Sequence, residues 1–326
     1  MDTELSNDSG TLRITTTSEG LFALHAQPKG AGANHSDVVT DYPLELIREI
    51  FKEFGARYTV EEIGRDVADN DAQLDVRYSV LAYFPDDLLN RPLKILDYGC
   101  GSGSSTFALA RLFPNATIVG MDFVAKYLKL AGLRMRHYRL QRTEFRQVPS
   151  SGSFSDLEEF DLVFLNAVYE HLLPAERPLV LQSLWRALKP GGSLVLNQTP
   201  HRWFPIETHT SALPLINYLP AALARWAQIK LSKRSFGVET WEQMLRRGIR
   251  GATVGEIIRN IRRVDHSARL LRPFRIATSW AGIWYAAKRQ RMGDGFMAKT
   301  VKTAEKLVNA TRLPFSPYIS IAVLKS

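Results

Sequence analysis

The stretch LKILDYGCGSGSSTFALARLF, Leu93–Phe113, decides the fold. "KILDYG" is a short apolar strand that closes on an acid, Asp97, and from about Ser104 the apolar residues recur at helical spacing. Between the two lie Gly99, Gly101 and Gly103. Such glycines let the backbone turn sharply and let a ligand approach it closely.

Working outward, the alternation continues. Strand patterns "ATIVGMD", "TEFRQV", "FDLVFLN" and "GSLVLNQ" are separated by helical patterns over "VAKYLKLAGLRMRHY" and "ERPLVLQSLWRAL". Strands alternating with helices imply right-handed crossovers and a parallel sheet covered on both faces, a Rossmann-like, doubly wound α/β fold. Upstream, "YPLELIREIFKEFG" (Tyr42–Gly55) reads as a helix that Gly55 stops. Residues 1–40, rich in Ser, Thr, Asp, Asn and Gly, read as a disordered tail. Residues 201–312 carry helical patterns without clear strands, and "PYISIAVLKS" closes the chain as a last strand. The expected organisation is a core domain over 41–200 plus 313–326, with 201–312 as a basic, mostly helical insertion capping the acceptor pocket.

The bulk numbers narrow the class. The 326 residues are 45% hydrophobic and 23% charged, as in a globular protein. One cysteine, Cys100, excludes an internal disulfide and any multi-cysteine zinc site. With an acidic, polar start and no long apolar run, a cytoplasmic location is expected. The formal charge of +9 is uneven: residues 221–326 hold 21 Lys and Arg against 6 Asp and Glu. A basic C-terminal third favours anionic partners.

A dinucleotide loop holds a pyrophosphate on its amides, and an acid at the strand end would repel it. Asp97 suits an ammonium instead. A second acid, Asp122, ends the next strand, where a carboxylate can accept both hydroxyls of a ribose. A cofactor with an ammonium, a ribose and an adenine but no phosphate is S-adenosyl-L-methionine. Asp97-Tyr-Gly99-Cys-Gly101-Ser-Gly103 resembles the acid-x-Gly-x-Gly-x-Gly signature of the class I S-adenosylmethionine-dependent methyltransferases. "FDLVFLNAVYEHL" (Phe160–Leu172) and "ALKPGGSLVLN" (Ala187–Asn197) are similar to the family's fourth- and fifth-strand motifs. The resemblance implies a sheet of about seven strands with an antiparallel last strand. It also implies a cofactor held by Asp97, Gly99, Gly101, Gly103, Asp122 and Asn166, with Phe123 placed to stack on the adenine. No side chain after the third strand matches the usual adenine contact, leaving the backbone near Val148 or the hydroxyl of Ser150.

Methyl transfer from a sulfonium needs an aligned nucleophile and, for a hydroxyl, a base. Such groups belong at the carboxyl ends of the strands. His171 follows the fourth strand; His201, Glu207 and His209 crowd a Pro-punctuated loop after the fifth. These four are the candidate catalytic residues. "AVYEHL" is similar to the Glu-x-x-Glu-His of quinone-biosynthesis O-methyltransferases, which use a divalent metal, but Ala167 replaces the first Glu and no metal is expected. The expected reaction is O-methylation of a small-molecule, glycan or lipid-linked acceptor, with an anionic group suiting the basic third.

RNA is the rival acceptor, on charge alone. Cytosine C5 chemistry is discounted because Cys100 sits in the cofactor loop, and amino-group methylation of bases because Asn166-Ala-Val-Tyr169 lacks the expected prolines. The remaining alternative is a non-catalytic, methyltransferase-like binding module. "LPLINYLPAALARWAQIKLSKR" (Leu213–Arg234) joins an apolar run to a basic end, which fits a cap helix packed on the sheet or a helix touching a membrane surface.

Overall fold

The computed structural model describes residues 2–29, 36–66, 70–148, 159–234, 237–292 and 295–326, apart from the side chains of Arg57 and Asp71. Strands β1 (Asp2–Asn7), β2 (Gly10–Thr16), β3 (Phe22–Pro28) and β4 (Ser36–Thr40) form an antiparallel meander. This corrects the expectation of a disordered tail over 1–40. A one-sided sheet needs apolar residues only at alternate positions, and Leu12, Ile14, Leu24 and Ala26 supply them. They pack on Ile47, Ile50 and Phe51 of α1 (Leu44–Gly64).

Gly55 breaks α1 at φ +71°, and the helix resumes at once. The Ser9 hydroxyl, from the β1–β2 turn, accepts a 2.8 Å hydrogen bond from the Ala56 amide and so caps the resumed segment from another part of the chain.

The remaining elements follow in order: α2 (Asp71–Tyr83), α3 (Asp86–Leu89), β5 (Lys94–Tyr98), α4 (Ser104–Leu112), β6 (Thr117–Asp122), α5 (Ala125–His137), β7 (Thr143–Gln147), β8 (Phe160–Asn166), α6 (Arg177–Arg186) and β9 (Leu188–Pro200). Then come α7 (Ala221–Leu231), α8 (Trp241–Arg246), α9 (Val254–Arg262), β10 (Arg269–Leu270), α10 (Trp280–Gln290), α11 (Phe296–Thr311) and β11 (Tyr318–Leu324). The main sheet has seven strands in the order β10-β11-β9-β8-β5-β6-β7. Strands β5 to β9 run parallel, and β11 runs antiparallel to β9. The expected doubly wound sheet with its antiparallel last strand is present.

Period-two alternation divides the core. Ile95, Ile118, Leu162, Phe164 and Val195 face α2, α4 and α10, while Leu96, Val119, Val163, Leu165 and Leu194 face α6 and α9. Residues 201–312 therefore do more than cap the pocket, because α9 and α10 are layers of the sheet itself. They also contain β10, a two-residue strand on the edge of β11, too short to leave a periodic signal. The strand order reverses between β5 and β8, and a crevice opens there at the carboxyl ends of the strands.

Candidate active site

A cleft of about 450 Å³ lies over this switch point, lined among others by Gly99, Gly101, Asn166, His171, His209 and Tyr318. The glycine loop forms its floor. Gly101 has φ +54°, and a Cβ there would meet nothing within 4 Å, so its open side faces the cleft.

Asp97 ends β5 fully buried. Its Oδ2 accepts from Ser105 Oγ at 2.7 Å and Thr106 Oγ1 at 2.6 Å, at the start of α4. Its Oδ1 is buried without a hydrogen-bond partner among the described residues. Burial pushes the carboxyl up to about 6, against the pull of the two hydroxyls. Asp122 accepts from the Gly101 amide at 2.9 Å through Oδ2 and from the Val124 amide at 2.8 Å through Oδ1. Each carboxylate oxygen can accept a second bond. Next to it Phe123 is 49% exposed, its ring edge-on to Tyr98 at 6.2 Å rather than embedded in the core. The Val148 amide bonds the Asp122 carbonyl at 2.9 Å, whereas Ser150 lies outside the described residues.

Asn166 closes β8. Its Oδ1 accepts from Asn197 Nδ2 at 2.7 Å, and Asn197 Oδ1 accepts from Ser320 Oγ at 2.6 Å, a polar ladder across β8, β9 and β11. Beyond these strand ends, Ala167 (φ +55°) and Gln198 (φ +58°) hold left-handed conformations, and both line the cleft. Such backbone costs about 1 kcal/mol or more and concentrates at functional sites.

The predicted catalytic residues separate. His171 and His209 meet in the cleft, ring centroids 5.4 Å apart, although 38 positions divide them in the chain. His171 Nδ1 lies 2.7 Å from the Arg246 carbonyl, which can only accept, so Nδ1 carries the proton and Nε2 keeps its lone pair. Burial lowers the pKa of His171. Burial, with the charges of His171, Arg234 and Arg247, lowers His209 to about 4. Both imidazoles are neutral at pH 7. His201 is not among the cleft residues: buried against Trp280 at 5.3 Å, it bonds the Ser316 carbonyl through Nδ1. Glu207 is buried too, and its carboxylate accepts the amides of His209, Thr210 and Ser211. It shapes the turn that carries His209, with both carboxylate oxygens engaged by backbone amides.

Glu170 stands beside His171 in the sequence motif, and the structure brings His209 to the same two groups. Fully buried, the Glu170 carboxyl completes no hydrogen bond of ordinary geometry, and burial pushes it up to about 8, so it is protonated at neutral pH. Ligand atoms of Glu170, His171 and His209 all lie within 4.8 Å of one another. His209 thus supplies a third ligand atom that the local motif, with Ala167 in place of an acid, lacks. Two imidazoles and one carboxyl suit a borderline ion such as zinc better than magnesium. Arg65, Asp75 and Tyr318 also line the cleft and left no motif in the sequence.

A family model described as a methyltransferase domain matches residues 89–248, from the last residue of α3 to just beyond α8. The chain carries a class I methyltransferase domain. Trans-aconitate 2-methyltransferase of Deinococcus radiodurans is 36% identical over 32% of this chain and 36% of its own length. The mitochondrial ubiquinone biosynthesis O-methyltransferase of Rattus norvegicus is 35% identical over 32% of this chain and 30% of its own. The matched stretch thus spans about a third of each relative. Among solved structures, the plantazolicin methyltransferase BpumL gives a TM-score of 0.47 at 12% identity, covering 86% of this chain and 96% of that one.

The cofactor of this methyltransferase domain is S-adenosyl-L-methionine. The residues present fit it: the unpartnered Asp97 Oδ1 is a buried acceptor awaiting a cation, and Asp122 has acceptor capacity to spare. Cys100 is buried and its thiol pushed far above the ordinary range, which removes it as a nucleophile.

Proposed function

We propose that this chain O-methylates a small-molecule, glycan or lipid-linked acceptor in the cleft between the glycine loop and the His171–His209 pair. S-adenosylmethionine supplies an activated methyl group, and the chain's residues bind, align and deprotonate around it. Asp97 and Asp122 anchor the cofactor through its ammonium and ribose, with Asn166 fixed by its ladder and Phe123 available to the adenine. His171 takes the proton of the acceptor hydroxyl on Nε2. The observation that carries this reading is the Nδ1 contact to the Arg246 carbonyl, which leaves the neutral ring a fixed lone pair. His209, with its much lower pKa, is a weak base and lines the acceptor side as a polar wall. Arg65 on the rim suits an anionic acceptor.

The names of the relatives agree with oxygen chemistry, since one carries O-methyltransferase in its name. The test is transfer of label from methyl-labelled S-adenosylmethionine to a panel of phenols, hydroxy acids and polyprenyl-linked alcohols. Labelled product with wild type and about a hundredfold less with His171→Ala supports the reading. Label on nitrogen or carbon, or equal turnover by the variant on a hydroxyl acceptor, overturns it.

A further inference from the structure

The loop that places His209 in the cleft also carries the most exposed apolar surface near it. Trp203, Ile206, Leu215 and Tyr218 are each 46% exposed or more. They stand close together: Trp203 stacks on Tyr218 at 5.9 Å, Ile206 bridges Pro214, and the Leu215 amide bonds the Pro205 carbonyl at 2.6 Å. Leu215 is held at φ +59°, a conformation costly for a branched apolar residue. Three residues after Tyr218, α7 begins and turns Leu223 and Trp226 outward on one face while burying Ala224 and Ala227. Ser232 at its far end donates to the Ser211 carbonyl at 2.7 Å, and Arg234 to the Thr208 carbonyl at 3.1 Å, so tip and helix form one unit.

Within this segment the exposed charge has one sign. Residues 201–234 contain Arg202, Arg225, Lys230, Lys233 and Arg234 and a single acid, Glu207, which is buried against its own backbone amides. Exposed indole and phenol rings beside Leu and Ile, bordered by Lys and Arg, form the pattern that settles at the headgroup level of a bilayer. Exposed apolar side chains grouped in this way mark an interaction site. No helix among the described residues is long and apolar enough to cross a membrane, so contact would be peripheral.

We infer that the face formed by Trp203, Ile206, Leu215, Tyr218, Leu223 and Trp226 docks on an anionic lipid bilayer. The aromatic and aliphatic side chains enter the headgroup region, while Lys230, Lys233 and Arg234 meet lipid phosphates. Because the same loop presents His209 to the cleft, docking sets the acceptor pocket at the membrane surface, where an amphipathic acceptor can enter without leaving the lipid phase. Docking needs no methyl transfer, so its failure and that of the proposed activity are separable.

The test is co-sedimentation of the full chain with vesicles of phosphatidylcholine alone, or with about 30 mol % phosphatidylglycerol. Wild type should pellet with the anionic vesicles, release in high salt, and remain in solution with phosphatidylcholine alone. Trp203→Ala with Trp226→Ala should weaken partitioning about tenfold, and Lys230→Glu with Lys233→Glu should abolish the preference for anionic lipid. All four side chains are exposed, and circular dichroism would confirm folding. Two results overturn the inference: wild type that stays in the supernatant with both vesicle types, or a concentration-dependent dimer in sedimentation velocity that the tryptophan variant abolishes. The second assigns the face to another copy of the chain.

Discussion

Arg134, fully buried in α5, donates from Nη1 to the Ser102 carbonyl in the glycine loop at 3.0 Å. The same guanidinium bonds Glu62 at 2.6 Å and Asp66 at 2.9 Å, at the end of α1 and just beyond it. Burial opposes the charge of Glu62, but Arg134 and Arg65 outweigh it and hold its pKa below the usual carboxylate value. The cofactor loop is therefore tied to the N-terminal segment through one cation. Arg134→Met should cost about 3–5 kcal/mol, since it removes the buried cation that two buried acids share. Urea titration measures this, and a loss below about 1 kcal/mol would show the hub to be dispensable.

Asp97 predicts opposite effects on stability and binding. Its pKa is raised, so the fold favours the neutral acid: its stabilising contribution is complete below the unfolded value near 4 and is lost as pH rises through about 6. Asp97→Asn should leave the protein at least as stable as wild type at pH 8. Affinity for S-adenosylmethionine should nevertheless fall by about tenfold or more, because only the carboxylate pairs with the ammonium. Calorimetry at pH 5 and pH 8 should show the wild-type affinity weakening toward acid and the variant's unchanged.

His171 and the nature of the acceptor are linked. With a hydroxyl acceptor, His171→Ala should lower kcat by about a hundredfold or more and leave cofactor affinity unchanged. With a carboxylate acceptor no proton has to leave, and the same variant should lose less than about tenfold. Burial lowers the pKa of His171, so the acid limb of the rate profile should lie below the ordinary histidine value near 6.5. An acid limb above 7 would assign the base to another group.

Glu170 makes the fold sensitive to alkali. Its carboxyl titrates at about 8 in the folded chain against 4.5 in the reference state, so stability is complete below the lower value and lost as pH rises through the upper one. Glu170→Gln, neutral and similar in shape, should match wild type near pH 4 and exceed it at pH 9 by on the order of 5 kcal/mol. Denaturant melts at the two values check this, and a variant less stable than wild type at pH 9 would show that the charged form has a partner.

Zinc should inhibit. The lone pairs of His171 and His209 and the carboxyl of Glu170 converge closely enough for one cation to engage all three, and such an ion would occupy the His171 nitrogen proposed to take the acceptor's proton. Micromolar zinc should therefore suppress methyl transfer, and Glu170→Gln should relieve the suppression. Stimulation by zinc would instead make the cluster a metal centre of the reaction.

Local signals in the sequence reached the cofactor half of the site. Asp97, the three glycines and Asp122 lie within 26 consecutive positions, so one strand–loop–helix–strand unit carries all five. The acceptor half depends on which way a loop folds. His201, Glu207 and His209 are equally polar in sequence, yet one packs on Trp280, one turns back onto amides and only the third reaches the cleft. The N-terminal meander escaped for a related reason. Four buried residues on β2 and β3 suffice for a one-sided sheet, and the Ser and Thr around them resemble a disordered composition.

The strand order also has a consequence for synthesis. Of the seven strands in the main sheet, β11 is the last to leave the ribosome, yet it lies inside, between β10 and β9. Until Tyr318–Leu324 has emerged, the nascent domain presents the edge of β9, with Leu194 and Leu196 flanking unpaired backbone, as a template for wrong pairing. Tyr318 meanwhile completes one wall of the cleft. The cofactor loop can thus take shape early in translation, while the acceptor pocket closes only with the final strand.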